Sequence, residues 1–259
     1  MKAVIKSGLT TKTMGREIFH YHSLESTNNT ARQLAEDGAE HGTLVIAARQ
    51  TAGRGRGGRR WSSPEGGIWL SLILRPQLLF VQASLITLLT AVAAAETTRE
   101  VCCFMPDIKW PNDLLAGGKK LAGVLTEAFA VNGGIHYLVV GLGININIRK
   151  NDFPPELRQQ ATSILIETGK QTDRALWVRS FLMAFEQLYD EAAADGFAAV
   201  LDRWRRYSST LGKDVLVCSS GCRIRGKALD IDGQGALLVE TEGSIRRFWA
   251  GEVIFEQER

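Results

Sequence analysis

Long apolar runs are missing from this 259-residue chain. No stretch approaches the roughly 18 uninterrupted apolar residues that a membrane-crossing helix needs. The N-terminus, "MKAVIKSGLTTKTMG", has no apolar signal core either. These absences argue against a membrane and point to a cytoplasmic protein. Cysteine is scarce, with four residues: Cys102 and Cys103 adjoin in an apolar stretch, and Cys218 and Cys222 flank a turn. A zinc site needs four spaced ligands, and no His-x-x-x-His or second cysteine pair accompanies them. No metal ligand is therefore assigned. An excess of one charge is also lacking: 31 Lys+Arg against 28 Asp+Glu leave +3, too little to argue for nucleic acid. Repeats and low-complexity tracts are absent.

What remains is an ordinary globular composition, 45% hydrophobic and 23% charged, long enough for a main domain plus a small one. The pattern mixes helices and strands, with hairpins rather than regular strand–helix–strand units. "STNNTARQLAEDG" (26–38) predicts a helix, with Ser, Thr and Asn to cap it and Gly38 to stop it. "TLVIAAR" (43–49) and "GIWLSLILR" (67–75) predict strands, and residues 82–101 a long buried helix. "DIKWPNDLL", "KKLAGVLTEAFAV" and "IHYLVVGLGININI", joined by "AGG" and "NGG", read as antiparallel hairpins. Residues 172–193 and 197–209 are amphipathic helices, the first with Asp173 as a plausible N-cap. From about Gly212 the chain becomes a succession of short strands broken by glycine turns, the pattern of a small β-barrel.

Against this background "GRGRGGRRW" (53–61) stands out, with four arginines among four glycines. Gly53, Gly55 and Gly58 fit the letters of a dinucleotide-binding turn. Such a turn must open a helix and be followed by an acidic residue about 20 positions on. Here "RRWSSPEGGIWLSL" leads into a strand, and positions 72–80 hold no acid. An RGG-type tract belongs in a long disordered segment, and this is a short loop between strands. A flap over an anion accounts for both residue types: guanidinium groups pair bidentately with carboxylate and phosphate, while glycines let the loop move.

Other polar groups gather in "KWPNDLLAGGKKLAGVLTE" (109–127), where Lys109, Asn112, Asp113, Lys119 and Lys120 surround a tight hairpin. "GLGININ" (141–147) sets Asn145 and Asn147 on one face of an otherwise apolar strand. Buried amides need partners, which are either backbone or a polar ligand.

"STNNTA", "QTAGRGRGGRRWSSPEGG", "KWPNDLLAGGKKLAGVLTE" and "GLGININ" resemble, in order and spacing, the signature of the biotin–protein ligases (biotin–[acetyl-CoA-carboxylase] ligases). The closing "GALLVE…GEV" resembles that family's C-terminal barrel, so the likeness spans about residues 18–259. It implies an α+β catalytic domain related to class II aminoacyl-tRNA synthetases, with a mixed or antiparallel sheet and helices, over residues 1–211. A small SH3-like β-barrel over 212–259 would follow. Fewer than 20 residues precede the catalytic pattern, so the resemblance is to the monofunctional type without an N-terminal DNA-binding domain. No specific DNA partner is expected, and a homodimer is left open.

The resemblance also implies the chemistry. Biotin's carboxylate attacks the α-phosphate of ATP, with Mg²⁺, to give biotinyl-5′-AMP. A lysine of a biotin carboxyl carrier protein then attacks that mixed anhydride. Ser26, Thr27, Asn28 and Gln50 would hold biotin's ureido ring. Arg54, Gly55 and Arg56 would meet the carboxylate and phosphates, and Trp61, Asn112 and Asn145 the nucleotide or metal side. Lys120 would bridge the carboxylate and the α-phosphate. Asp113 would orient the acceptor lysine, and Gly123 would let the backbone approach biotin. Alternation lets only one of Lys119 and Lys120 point inward, and the spacing from Asp113 selects Lys120. Thr51 departs from the pattern, since a second glutamine is common there. A lipoate–protein ligase shares the fold and the adenylate logic, and a non-catalytic binding module is the alternative from another class. The arginine loop and the terminal barrel favour the biotin branch over lipoate. A binding module would leave Lys120 and Asp113 unexplained.

Overall fold

Strand β3 (Ile68–Leu74) is buried at every position and lies inside a seven-stranded sheet. The computed structural model of the chain describes residues 1–131, 134–219 and 221–255. The expected "NGG" turn falls partly on Asn132 and Gly133, outside the described residues. Within them the sheet also contains β1 (Ile18–Leu24), β2 (Leu44–Gln50), β4 (Asp107–Lys109), β5 (Asp113–Ala116), β6 (Lys119–Val131) and β7 (Gly134–Ile144). Their order is β1-β2-β3-β7-β6-β5-β4. Every neighbouring pair is antiparallel except β1 and β2.

That exception corrects the hairpin-only reading. Helix α2 (Thr27–Glu36) connects two parallel strands, so the chain does contain a strand–helix–strand unit. Its first strand, "IFHYHSL", sits at the sheet edge and is largely half-buried, so it carries only a weak apolar signal. Residues 26–38 otherwise behave as their capping pattern predicts. Ser26 is the N-cap, and its hydroxyl accepts the Asn29 amide.

Alternation along β3 separates the two faces of the sheet. Leu70, Leu72 and Leu74 join the main core beneath α3 (Ala83–Cys102). This helix is apolar on nearly every side because it is covered by the sheet and by two helices that follow the short α4 (Ile164–Thr168), namely α5 (Arg174–Asp195) and α6 (Ala198–Tyr207). Ile73 faces the other way, toward Ala31 and Ala35 of α2. Ser71, between the leucines, is fully buried on that second face and bonds to the start of α2. The long C-terminal helix α5 begins where expected, with the Asp173 carboxylate accepting the amides of Ala175 and Leu176 at 2.8 and 3.2 Å.

Residues 12–14, which follow α1 (Lys2–Lys6), are clamped to α5 by one carboxylate. Glu186 accepts the amides of Lys12, Thr13 and Met14 at 2.7–2.9 Å and the Thr13 hydroxyl at 3.0 Å. Burial alone would raise its pKa, yet the backbone donors hold it below the usual carboxylate value. Glu186→Gln is expected to destabilise the protein by about 1.5–3 kcal/mol at pH 7, since hydrogen bonds to a charged group are lost. A depressed folded pKa means that this stabilisation is present above the unfolded value. It is lost as the pH falls through the folded one. Urea unfolding of both proteins should therefore show a gap at pH 7 that shrinks below about pH 4.5, the ordinary glutamate value. A pH-independent gap would assign the effect to packing.

After α6 come β8 (Asp214–Ser219), β9 (Cys222–Ile231), β10 (Leu237–Thr241), β11 (Ser244–Phe248) and β12 (Glu252–Phe255). They form a second, antiparallel sheet in the order β11-β10-β9-β8-β12. Arg205 of α6 holds it through the Asp230 carboxylate at 2.7 Å and the Ile231 carbonyl at 2.8 Å. At the other edge of this sheet, β12 lies against the arginine loop.

Candidate active site

On the second face of the sheet the cross-strand rows read Trp69–Gly143–Gly123 and Ser71–Gly141–Leu125. The glycines create a trough. A β-carbon on Gly141 would lie 2.1 Å from Asn28 Oδ1, and one on Gly143 would lie 2.7 Å from Trp61 Nε1. Side chains from α2 and from the arginine loop therefore rest directly on the backbone. Above the trough is a cavity of about 410 Å³. Every residue singled out above for biotin, nucleotide or catalysis lines it.

At one end, Asn28 is nearly buried. Its Nδ2 donates to Glu127 Oε2 at 2.8 Å and to the Leu125 carbonyl at 3.3 Å. The Ser71 hydroxyl bonds to Asn28 Oδ1 and to Thr27 Oγ1, at 2.7 and 2.8 Å. Gln50 Oε1 accepts the Thr27 amide and hydroxyl, and Gln50 Nε2 donates to Ser63. The start of α2 is thus held by a continuous polar chain.

The arginine loop is a hairpin rather than an open turn. Gly55 N donates to the Arg59 carbonyl, Trp61 N donates to the Gly53 carbonyl, and Arg54 bridges Arg60. Gly57 and Gly58 form its tip with φ of 64° and 76°, where a side chain would be strained. Each arginine is held by protein. Arg54 pairs with Glu127 at 2.9 Å, and Arg60 donates to the Thr51 carbonyl. Arg56 donates to Asn112 Oδ1 and to the Gly251 carbonyl, both at 3.2 Å. Arg59 meets Glu252 at 2.7 Å. Two of the four arginines reach β12 or the residue before it, so the loop closes against the C-terminal sheet.

At the far wall, Lys120 Nζ lies 2.8 Å from Asp113 Oδ2 and 5.2 Å from the centre of the Trp61 ring. The choice of Lys120 over Lys119 thus agrees with a direct contact. Its backbone is gripped on both sides: its amide donates to the Gln160 carbonyl, and its carbonyl accepts the Thr162 amide. Two buried polar atoms in this group have no partner, the donor Trp61 Nε1 and the acceptor Asp113 Oδ1. Orphaned buried groups are costly, so a donor and an acceptor left unpaired in one cavity point to a polar ligand. Gly123 lines the cavity, and the Trp61 ring approaches to 3.0 Å from where its β-carbon would stand.

The biotin/lipoate A/B protein ligase family matches residues 21–145, and the biotin protein ligase C terminal domain matches residues 210–256. A bifunctional ligase/repressor BirA of Bacillus subtilis is 40% identical over 250 residues, covering 96% of this chain and 77% of that protein. The chain belongs to the biotin/lipoate protein ligase family. A biotin–[acetyl-CoA-carboxylase] ligase of Paracoccus denitrificans is 30% identical over 89% of this chain and 97% of its own length. A biotin protein ligase from Aquifex aeolicus, solved with biotin and ATP, superimposes with a TM-score of 0.81 at 29% identity. It covers 94% of this chain and 100% of that one.

Several residues around the cavity of this family member were given no role from the sequence. Lys109 stands 4.8 Å over the Phe255 ring. Burial lowers its pKa, and Asp113 and Glu252 partly offset that. Burial likewise lowers that of Arg56, which nonetheless stays charged. The Arg59 hydrogen bond holds Glu252 below the usual carboxylate range. Phe153, Leu157 and Ala161, from a segment with no recognised motif, add an apolar wall. The two asparagines of "GLGININ" need correction, because β7 ends at Ile144 and neither sits on a strand. Asn145 Nδ2 donates to the Thr162 carbonyl at 2.9 Å and remains on the cavity wall. Asn147 is spent on Thr172, bonding both its amide and its carbonyl. Among the described residues, no group of three or more His, Cys, Asp or Glu could hold a metal, and no helix is long and apolar enough to cross a membrane.

Proposed function

We infer that the protein is a biotin–protein ligase: it activates biotin with MgATP to biotinyl-5′-AMP and passes the biotinyl group to a lysine of a biotin carboxyl carrier protein. The observation that carries this reading is the one cavity in which the arginine hairpin, the Lys120–Asp113 pair and the polar start of α2 converge. The likeness to a ligase solved with both biotin and ATP supports it independently.

In the first step a biotin carboxylate oxygen bonds to the α-phosphorus, and the bond to the β-phosphate oxygen breaks, releasing pyrophosphate. Two anions must approach, and Lys120 places a positive charge between them. In the second step the neutral acceptor amine attacks the carbonyl carbon, the bond to the phosphate oxygen breaks, and AMP leaves. Asp113 aligns that amine and accepts its proton. Its unpartnered oxygen supports this role. Ser26, Thr27, Asn28 and Gln50 form the ureido end, while Trp61, Asn112 and Asn145 lie toward the nucleotide. Mg²⁺ enters with ATP. Such an ion would be held mainly by the substrate phosphates and water, with Asn112 and Asn145 on its side of the cavity. It supplies charge neutralisation on the phosphates.

The division into a catalytic part, 1–211, and a C-terminal part, 212–259, is supported by the change from helices to a separate five-stranded sheet. The antiparallel pairing of those strands supports the SH3-like reading, and the antiparallel sheet flanked by helices supports the synthetase-like one. Four free thiols suit a reducing, cytoplasmic setting.

ATP–pyrophosphate exchange is the direct test. Biotin should drive exchange, and lipoate at the same concentration should drive less than about a tenth as much, because polar groups built for a ureido ring are left unpaired by a dithiolane. Equal exchange with lipoate would move the assignment to the lipoate branch of the family. No exchange with either acid would remove the ligase reading.

A further inference from the structure

Glu127 does not line the cavity, yet it holds two residues that do. It stands on β6 opposite Val139, one cross-strand row beyond Leu125–Gly141, with its side chain 23% exposed. Its Oε1 receives Arg54 Nη2 at 2.9 Å. Its Oε2 receives Arg54 Nη1 at 3.3 Å and Asn28 Nδ2 at 2.8 Å. One carboxylate on the rigid sheet thus joins the arginine hairpin to the start of α2, two segments from different parts of the chain. Arg54 also donates to Asn29 Oδ1 at 2.8 Å, which draws the segments together.

A carboxylate only accepts hydrogen bonds, so it dictates which way the Asn28 amide points. With Nδ2 fixed on Glu127, Oδ1 must face Ser71, and the polar chain through Thr27 and Gln50 to Ser63 follows in one sense. Without Glu127 only the longer bond to the Leu125 carbonyl, at 3.3 Å, still favours that sense, and the amide turns over more readily, exchanging donors and acceptors along the cavity end. The Arg54 pair adds a bidentate, charge-assisted contact, stronger than an ordinary surface ion pair.

We propose that Glu127 is a positioning residue for biotin: it sets the hydrogen-bonding sense of the ureido end and anchors the hairpin over it, without touching substrate. This rests on the reading that the start of α2 takes biotin. Glu127→Ala should raise KM for biotin about tenfold or more in ATP–pyrophosphate exchange, the size of one lost charge-assisted hydrogen bond. The value of kcat and KM for ATP should stay within about twofold. Glu127→Gln keeps an acceptor for Asn28 and should raise KM for biotin less. The double variant Glu127→Ala/Arg54→Ala should cost clearly less than the sum of the two single changes, because the Arg54–Glu127 contact is lost in each.

A purely structural ion pair would lower the melting temperature and leave the biotin KM of the folded protein unchanged. That result in either variant overturns the proposal, as does an additive double variant. If Glu127→Ala does not fold, Glu127→Gln decides the matter. A wild-type protein that exchanges only with lipoate overturns the biotin reading itself, and this proposal with it. That failure shows in the wild type before any variant is compared.

Discussion

Lys120→Ala is expected to slow adenylate formation by about 10²–10³-fold, while biotin affinity falls much less. A preorganised charge at a developing anion typically contributes that much. The geometry concentrates the effect on one residue. Lys120 Nζ is fixed by Asp113 Oδ2 at 2.8 Å and by the Trp61 face, and its backbone is held between Gln160 and Thr162. Little reorganisation is needed when the two anions meet. Removing the ammonium does more than subtract a cation, because it leaves the Asp113 carboxylate unpaired beside the incoming phosphate. Lys109 does not take its place, since it is half-buried and stands over the Phe255 ring rather than against Asp113. ATP–pyrophosphate exchange at saturating biotin measures this directly. A rate near that of the wild type would exclude Lys120 from the chemistry.

Much of the site was legible because its residues lie in short runs whose chemistry is local. "GRGRGG" read as a glycine-rich loop between two strands, and the structure folds that loop into a hairpin with Gly57 and Gly58 in left-handed backbone at its tip. Lys120 was selected by its spacing from Asp113, and that spacing is realised as a direct ion pair across β5 and β6. Ser26 and Asp173 were legible as helix caps because capping depends on only three or four neighbouring residues. What stayed hidden depends on distant pairing. Glu127 reads as an ordinary outward acid until β6 is placed beside α2, and its partners Arg54 and Asn28 are 73 and 99 positions away. Arg56 and Gly251 are separated by 195 positions. Asn147 was misread because alternation was extended past Ile144, where β7 stops and the chain turns to meet Thr172. The strand of residues 18–24 escaped because an edge strand needs no continuous apolar face.

Arg56→Gly is expected to damage retention of the intermediate more than its formation. Arg56 Nη1 links the hairpin to Asn112 on the sheet side and to the Gly251 carbonyl just before β12. Glycine removes both contacts and makes positions 55–58 four consecutive glycines, which greatly increases the freedom of the tip. The loop is still anchored through Arg54 to Glu127 and through Arg59 to Glu252, and Lys120 still offsets charge, so adenylation should fall less than about tenfold. Loss of one charge-assisted tether should let biotinyl-5′-AMP leave about ten- to a hundredfold faster. A released mixed anhydride acylates any neutral amine it meets. Incubating the variant with biotin, MgATP and albumin should therefore label the albumin, whereas the wild type should label it far less. A hairpin that merely decorates the surface predicts no difference. If albumin stays unlabelled while carrier biotinylation is normal, the hairpin does not retain the adenylate, and its arginines serve only to hold the two sheets together.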